Sequence, residues 1–288
     1  MSRISRTAPD TIEEVLSRQL DRGEGDIAYF AAIFRDLLAT PGISPADAAQ
    51  RIRHDFLNGY LATEPEWNGL SSRFAVGSFL QGGYEVIFEL ARVVPHEDVR
   101  QDLLVQTLLE LRKLPPQPST REGEEDAPYV DDLVFAVVSE DSWNQGCPRE
   151  QGSDPFEEYN KKCKRWVNVS SFLARCSGAG LYEKHPDCLK HPSVDVVLGL
   201  EPKRLDPPLL RKTRALVAAL WILHAGQTIF DDMVKHDKPS WGPSKWKTWG
   251  EKLVEVASDI NLGEEVRSVA IRALGKMVAV SVSSRLQA

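Results

Sequence analysis

Three aspartates cluster at the end of a long apolar segment. The segment reads LLRKTRALVAALWILHAGQTIFDDMVKHD, and Asp231, Asp232 and Asp237 lie in its last third. Adjacent carboxylates repel one another, and the negative end of a helix dipole is unfavourable to them. Mg²⁺ prefers about six oxygen ligands and usually shares them among carboxylates, waters and substrate phosphate. The cluster therefore indicates a Mg²⁺ site. The alternative is a solvated helix end with basic neighbours.

A second polar cluster lies in residues 154–176. Its polar and aromatic members recur at intervals of three and four residues, which places them on one face of a helix. They are Lys161, Arg165, Asn168, Ser171, Phe172 and Arg175. Cations together with an amide and a hydroxyl suit a diphosphate, which accepts several hydrogen bonds and can share Mg²⁺ with amide and hydroxyl oxygens. The alternative is a basic helix face in solvent.

The acid cluster is carried by a predicted central helix, residues 209–236. Leu216, Leu220 and Leu223 fall near helical spacing and indicate one face against a core. The opposite stripe includes Trp221, so little of this helix suits open water. Pro239 disfavours helical geometry at the preceding residue, which predicts an end near His236.

The remaining elements are predicted to be helices as well. Caps, prolines and glycines delimit helices over 10–21, 26–40, 44–63, 71–94, 95–114, 129–143, 154–176, 193–200, 240–259 and 264–286. The run VFAVV within 129–143 is also compatible with a short strand. Without alternating strands and helices or a repeat, we expect an all-α fold, a single domain over 1–288 with roughly ten helices. The proline- and acid-rich stretch 115–128 predicts a mobile surface loop, either a lid or a connection.

Composition narrows the class of protein. The net charge of −7 argues against a general nucleic-acid binder. Four cysteines without a C-x-x-C pair favour a reduced, cytoplasmic setting over a zinc site. The first residues have no apolar signal segment, and the longest apolar run, 215–230, is too short to span a membrane. The motifs of serine hydrolases and of dinucleotide enzymes are missing from the sequence.

Three segments carry a resemblance to a known family: KRWVNVSSFLARC, ALWILHAGQTIF and SWGPSKWKTWGEKLVEVA. With them, most of the chain resembles a fungal all-helical family of unknown function. More narrowly, it is similar to the unusual fungal terpene cyclases that make humulene. That resemblance implies an aspartate-rich helix end and a facing Asn/Ser helix around Mg²⁺ and a diphosphate. The spacing here is DDxxxxD rather than DDxxD, and the Asn/Ser helix precedes the acid helix.

The resemblance leads to the hypothesis of a Mg²⁺-dependent sesquiterpene cyclase in fungal secondary metabolism, acting on farnesyl diphosphate. The site residues then take three roles. The metal ligands are Asp231, Asp232, Asp237, Asn168 and Ser171. The diphosphate binds to Arg165, Arg175 and Lys235, beside Asn168. The aromatic residues Trp221, Phe172 and Phe230 wall the pocket, since aromatic faces stabilise a carbocation by about 0.5–2 kcal/mol.

Two alternatives stay open at the level of sequence. The first is a non-catalytic helical interaction protein, in which the acidic and basic residues form surface pairs. The second is a prenyltransferase that uses the same diphosphate site for two substrates. The oligomeric state is not indicated by the residues.

Overall fold

The computed structural model describes residues 11–21, 25–60, 72–118, 123, 126–129, 132–146, 148, 152, 154–183, 190–202, 206–236, 238 and 240–287. Within these ranges the regular elements are helices, and the backbone pairs outside them are two isolated bridges. The predicted all-α class is confirmed. The chain forms two compact units, Met1–Val138 and Ser139–Ala288. The expected single domain stays a prediction.

Eleven α-helices are present in the described residues. They are α1 Ile12–Asp21, α2 Gly25–Leu38, α3 Pro45–Asp55, α4 Ser72–Val93, α5 Arg100–Lys113, α6 Asp132–Gly146, α7 Phe156–Gly178, α8 Lys190–Leu200, α9 Pro208–His236, α10 Pro243–Ser258 and α11 Gly263–Gln287. A π-helical turn, Phe56–Tyr60, continues α3, and a short 3₁₀ turn, Ile260–Leu262, precedes α11. Most helix ends match the predicted ends to within a few residues, but the third helix, predicted to run to residue 63, ends at Asp55 and is followed by the π-helical turn. The central helix ends at His236, as Pro239 predicted.

Some predicted helix starts were wrong for local reasons. The helix expected from Pro95 begins at Arg100, after a turn in which Asp98 accepts a hydrogen bond from the Arg100 backbone N–H at 2.9 Å. The VFAVV run is part of α6 rather than a strand. The N-cap of α7 is Pro155, and the carboxylate of the preceding Asp154 accepts a hydrogen bond from Lys162 at 2.8 Å.

The unit Met1–Val138 is built around packed aromatic rings. Phe79 lies 4.8 Å from Phe30 and 5.2 Å from Phe56 between ring centroids. A Cβ on Gly83 would meet the Phe30 ring at 2.4 Å. Glycine in α4 therefore allows a close aromatic contact, which explains why a residue that weakens a helix is present there.

The base of the stretch 115–128 is anchored. Gln117 and Ala127 exchange two backbone hydrogen bonds of 2.7 and 2.8 Å, and Ala127 is fully buried. Most residues between them lie outside the described part of the chain, so the expected mobility stays a prediction.

In the unit Ser139–Ala288, α9 is the central helix and packs against α7, α8 and α11. Its middle is closed to water on nearly every side, with Ala218, Ala219 and Ile222 fully buried. Two neighbouring helices approach its backbone through glycine. A Cβ on Gly178 would lie 2.1 Å from the His224 carbonyl oxygen. Such contacts place side chains of α7 and α9 beside one another.

Indole N–H groups link the helices of this unit to acidic side chains. Trp143 and Trp221 both donate to Asp195, Trp241 donates to Asp232, and Trp249 donates to Glu201. Trp246 donates instead to the hydroxyl of Ser281 at 3.3 Å. The tryptophans near the last helices therefore contribute buried area and also donate to half-buried polar groups.

Among the described helices, none combines the length and the apolar run needed to cross a lipid bilayer.

Candidate functional site

A cleft of about 450 Å³ opens where α7 and α9 end. This volume lies within the range of small-molecule sites. Its lining residues are Ser177, Gly178, Ala179, Gly180, Tyr182, Glu183, Thr228, Asp231, Asp232 and Lys235. The two helices run in the same direction, because Cys163 near the start of α7 contacts Thr213 near the start of α9. Both C-terminal ends therefore meet at the cleft.

One wall of the cleft is a single face of α9. Thr228, Asp231, Asp232 and Lys235 follow one another at helical spacing, which brings them to the same side. The Asp231 carboxylate is exposed and accepts a hydrogen bond from the Gln227 side chain at 2.8 Å. Two of the three predicted aspartates, together with Lys235, thus line a common concave surface.

Asp232 also stabilises the end of α9. Its Oδ2 accepts from the Trp241 indole at 2.6 Å, and its Oδ1 lies 3.0 Å from Nδ1 of His236. These contacts connect the end of α9 to the residues that lead into α10. Asp232 is therefore held in a fixed orientation, whereas within the described residues the partner of Asp231 is the neighbouring Gln227 amide.

The other wall is the turn that ends α7. Backbone N–H groups of Ala179, Gly180 and Leu181 donate to carbonyls in the last turn of the helix at 2.9–3.0 Å. Gly180 has a φ of 76°, in the left-handed region that favours glycine. Its Cα faces the carboxylate of Glu183, since a Cβ there would lie 2.7 Å from Oε1. The turn therefore places Glu183 at the edge of the cleft.

The cleft carries opposite charges that do not neutralise each other. Among the described residues it is lined by three carboxylates, those of Glu183, Asp231 and Asp232, and by the Lys235 ammonium. In the part of the chain that the structure describes, neither Glu183 nor Lys235 forms an ion pair. Two helix C-termini add partial negative charge. The site is therefore acidic, with one cation on the α9 wall.

Three predicted aromatic wall residues lie away from the cleft. Trp221 is 1% exposed, and its indole is used by Asp195, while Phe172 is fully buried in the core. Phe230 packs edge-on against Trp246, with 5.3 Å between ring centroids. The structure therefore places these rings in helix packing. Their role as pocket walls remains a prediction without support from the lining.

The predicted polar face of α7 does not reach the cleft formed by the described residues. Asn168 and Ser171 precede Ser177 by nine and six residues, which corresponds to roughly 13 and 9 Å along the helix axis. Ser171 is fully buried, and its hydroxyl has no hydrogen-bond partner within the described residues. Arg165 and Arg175 are half-buried and do not contribute to the lining either.

The metal site stays a prediction. Asp237 lies outside the described residues, and within those residues no group of three or more His, Cys, Asp or Glu side chains can hold a metal ion. Asp231 and Asp232 supply two adjacent carboxylates. Mg²⁺ is often bound by one or two carboxylates together with substrate phosphates and waters. The donor set therefore fits a cation that arrives with an anionic ligand.

A buried carboxylate, which sequence reasoning missed, lies in the core of the same unit. Asp195 of α8 is 3% exposed, and its Oδ2 accepts from Trp221 at 2.8 Å and from Trp143 at 3.1 Å. Burial raises the pKa of Asp195 to about 7, although the two indole donors and the charge of Arg214 act to lower it. The sequence signal for this buried carboxylate was an aspartate inside the largely apolar run SVDVVLGL.

Comparison with known proteins identifies a family for the chain but no activity. No curated protein and no solved structure matches the chain. A family model matches residues 84–253, which is more than half of the chain and includes every residue of the cleft. The family is described only as proteins of unknown function, as the resemblance implied. The chain therefore belongs to the DUF3632 family of proteins of unknown function.

Proposed function

We propose that the cleft is an active site at which a prenyl diphosphate is bound and ionised with Mg²⁺. One observation supports the proposal: Asp231, Asp232 and Lys235 line one cleft at the paired ends of α7 and α9. The sequence predicts the two aspartates to be metal ligands. The Lys235 ammonium can donate hydrogen bonds to a diphosphate oxygen. The resemblance to humulene-forming cyclases names farnesyl diphosphate as the substrate.

Each residue of the cleft has a distinct part in this proposal. Asp231 and Asp232 would hold Mg²⁺, which when bound neutralises the charge that develops on the diphosphate as the C–O bond breaks. Asp232 is oriented for this by Trp241 and His236. Lys235 would donate to a diphosphate oxygen, a charge-assisted contact of the stronger kind. The described residues place no third carboxylate on the same cation.

A second candidate is favoured by the polar lining of the cleft. Ring closure of a farnesyl cation requires an enclosed apolar surface. Among the residues that line the cleft, only Tyr182 carries a large ring. A protein that binds the diphosphate without closing the chain, or that transfers the prenyl group to another substrate, needs less apolar surface. Humulene formation therefore requires more apolar surface than diphosphate binding or prenyl transfer does.

Asp231→Asn provides the sharpest test. Its carboxylate is exposed, and its partner among the described residues is Gln227, so the substitution should change stability by no more than about 0.5 kcal/mol. Wild type and variant are incubated with farnesyl diphosphate, with and without Mg²⁺, and both released diphosphate and volatile hydrocarbon are measured. Loss of one charge that stabilises the transition state should lower turnover at least about a hundredfold. Glu251→Gln, an exposed acid on α10, is the matched control.

The outcomes separate the candidates. Mg²⁺-dependent hydrocarbon release that Asp231→Asn abolishes supports the cyclase. Diphosphate release that rises when an aromatic acceptor is added supports prenyl transfer. Binding without diphosphate release supports a non-catalytic role. Equal turnover by wild type and Asp231→Asn would move the activity away from this cleft.

A further inference from the structure

The cleft presents two unpaired charges of opposite sign. Glu183 lies on the turn after α7, and Lys235 lies on the last turn of α9. Both line the same concave surface, yet they are not within ion-pair distance of each other, and neither has another charged partner in the described residues. Exposed lysines and glutamates are ordinarily free to move toward such partners. Here the two groups face a space of about 450 Å³.

A buried hydroxyl lies beside these charges. Ser177 lines the cleft, is 2% exposed, and its Oγ has no hydrogen-bond partner in the described residues. Its backbone carbonyl is already used by Gly180 and Thr228. A buried polar group without a partner costs about 1–3 kcal/mol, which a hydrogen bond from a ligand in the cleft would offset.

The carboxylates of the cleft are not arranged for one bare ion. Glu183, Asp231 and Asp232 share the lining but do not form a group that could hold a metal ion together. A ligand that spans the cleft meets them differently. Its positive part can face these carboxylates, and its negative part can accept hydrogen bonds from Lys235.

From these observations we infer that the cleft takes a dipolar ligand, with its positive end on the side of the carboxylates of Glu183, Asp231 and Asp232 and its anionic end at Lys235. This inference rests on the proposed function in that it concerns the same cleft. It adds Glu183 and Ser177 to the site, and it requires positive charge and an anionic group in one ligand. The positive end is either a divalent cation bound to a diphosphate or an ammonium group of the ligand itself.

Calorimetric titration of the full chain distinguishes these sources. The two dipolar probes are Mg²⁺ with inorganic diphosphate, and O-phosphoethanolamine in buffer with a chelator. The two single-charge probes are inorganic diphosphate with a chelator, and ethanolamine. At least one dipolar probe should bind about tenfold or more tightly than either single-charge probe, because a hydrogen bond to a charged group contributes roughly one tenfold step. Whichever dipolar probe binds identifies the positive end.

Variants assign the two ends. Glu183→Gln and Lys235→Gln should each weaken the dipolar probe about tenfold, and Glu251→Gln and Lys247→Gln, at exposed positions of α10, should leave it unchanged. Circular dichroism confirms that each variant is folded. Unchanged affinity in Glu183→Gln, or equal affinity for a single-charge probe, overturns the inference, and so does the absence of heat with both dipolar probes. Turnover of farnesyl diphosphate that depends on Asp231 would then still uphold the proposed function.

Discussion

At the scale of single residues, the acidic side chains of this protein have different environments and therefore different roles. Asp231 is exposed at the cleft, Asp232 is tied to Trp241, and Asp195 is buried between two indoles. Glu201 is intermediate: burial acts to raise its pKa, but hydrogen bonds from Lys245 and Trp249 outweigh this and leave the pKa below its usual value. The first environment leaves a carboxylate open to a ligand, and the second holds one in a fixed orientation beside it.

Asp195 should make stability depend on pH. Its folded pKa of about 7 lies above the usual value of 3.8, so the folded state retains a proton that the unfolded state releases. The resulting stabilisation is complete below about pH 4 and is lost as pH rises through 7, with an amplitude on the order of 4 kcal/mol. Urea unfolding from pH 4 to 8 should show this decline in wild type relative to Asp195→Asn. Parallel curves for the two proteins would contradict it.

Asp232→Ala should cost stability as well as any activity. The substitution removes a charged acceptor from the Trp241 indole, a hydrogen bond that contributes about 1.5–3 kcal/mol. Urea unfolding is expected to show a loss of about 2 kcal/mol, whereas Asp231→Ala should change stability by about 0.5 kcal/mol or less. If both variants were equally stable, the Trp241 contact would not anchor the end of α9.

At the scale of elements, glycine decides how closely helices approach α9. Gly178 of α7 and Gly199 of α8 lie against its backbone: a Cβ on Gly199 would meet the Arg214 carbonyl oxygen at 2.3 Å. Carbonyl groups inside a helix cannot move without breaking the helix. The side chains that share the cleft are therefore positioned by backbone contact between α7 and α9 as well as by side-chain packing.

Gly178→Ala and Gly199→Ala should each destabilise the protein by about 1–3 kcal/mol or more, because the new methyl group forces helices apart. Gly275→Ala is the control. No atom lies within 4 Å of its added Cβ, and it sits within α11, so alanine should stabilise by up to about 1 kcal/mol. Thermal unfolding of the three variants tests the difference. Equal effects at all three positions would contradict the proposed close approach.

At the scale of the whole molecule, the described lining of the cleft belongs to the unit Ser139–Ala288, while the family match begins at Tyr84 in the first unit and ends at Leu253 in the second. A ligand of the cleft therefore acts directly on only one of them. Ligand that binds only the folded state stabilises it by about 2.7 kcal/mol at a hundred times its Kd.

Scanning calorimetry with Mg²⁺ and farnesyl diphosphate should show where that free energy acts. If the units unfold separately, only the transition of Ser139–Ala288 should rise, by several degrees. If they unfold together, the single transition should rise. Lys235→Gln should reduce the shift in both cases, and Lys247→Gln should not. A shift of the same size in Lys235→Gln would place the ligand elsewhere.

The sequence by itself determined the helical class, the central helix and its end, and the acid pair on its last turns. These follow from local rules: apolar spacing, a proline after the helix, and the charge of neighbouring side chains. Only the tertiary structure decided which side chains share a cleft. Asn168 lies on the predicted face of α7 but too far along it, whereas Glu183 and Ser177 reach the cleft because the helix ends beside α9. Spacing along one helix predicts which residues share a face. How far each of those residues lies from a second helix depends on where the two backbones come into contact.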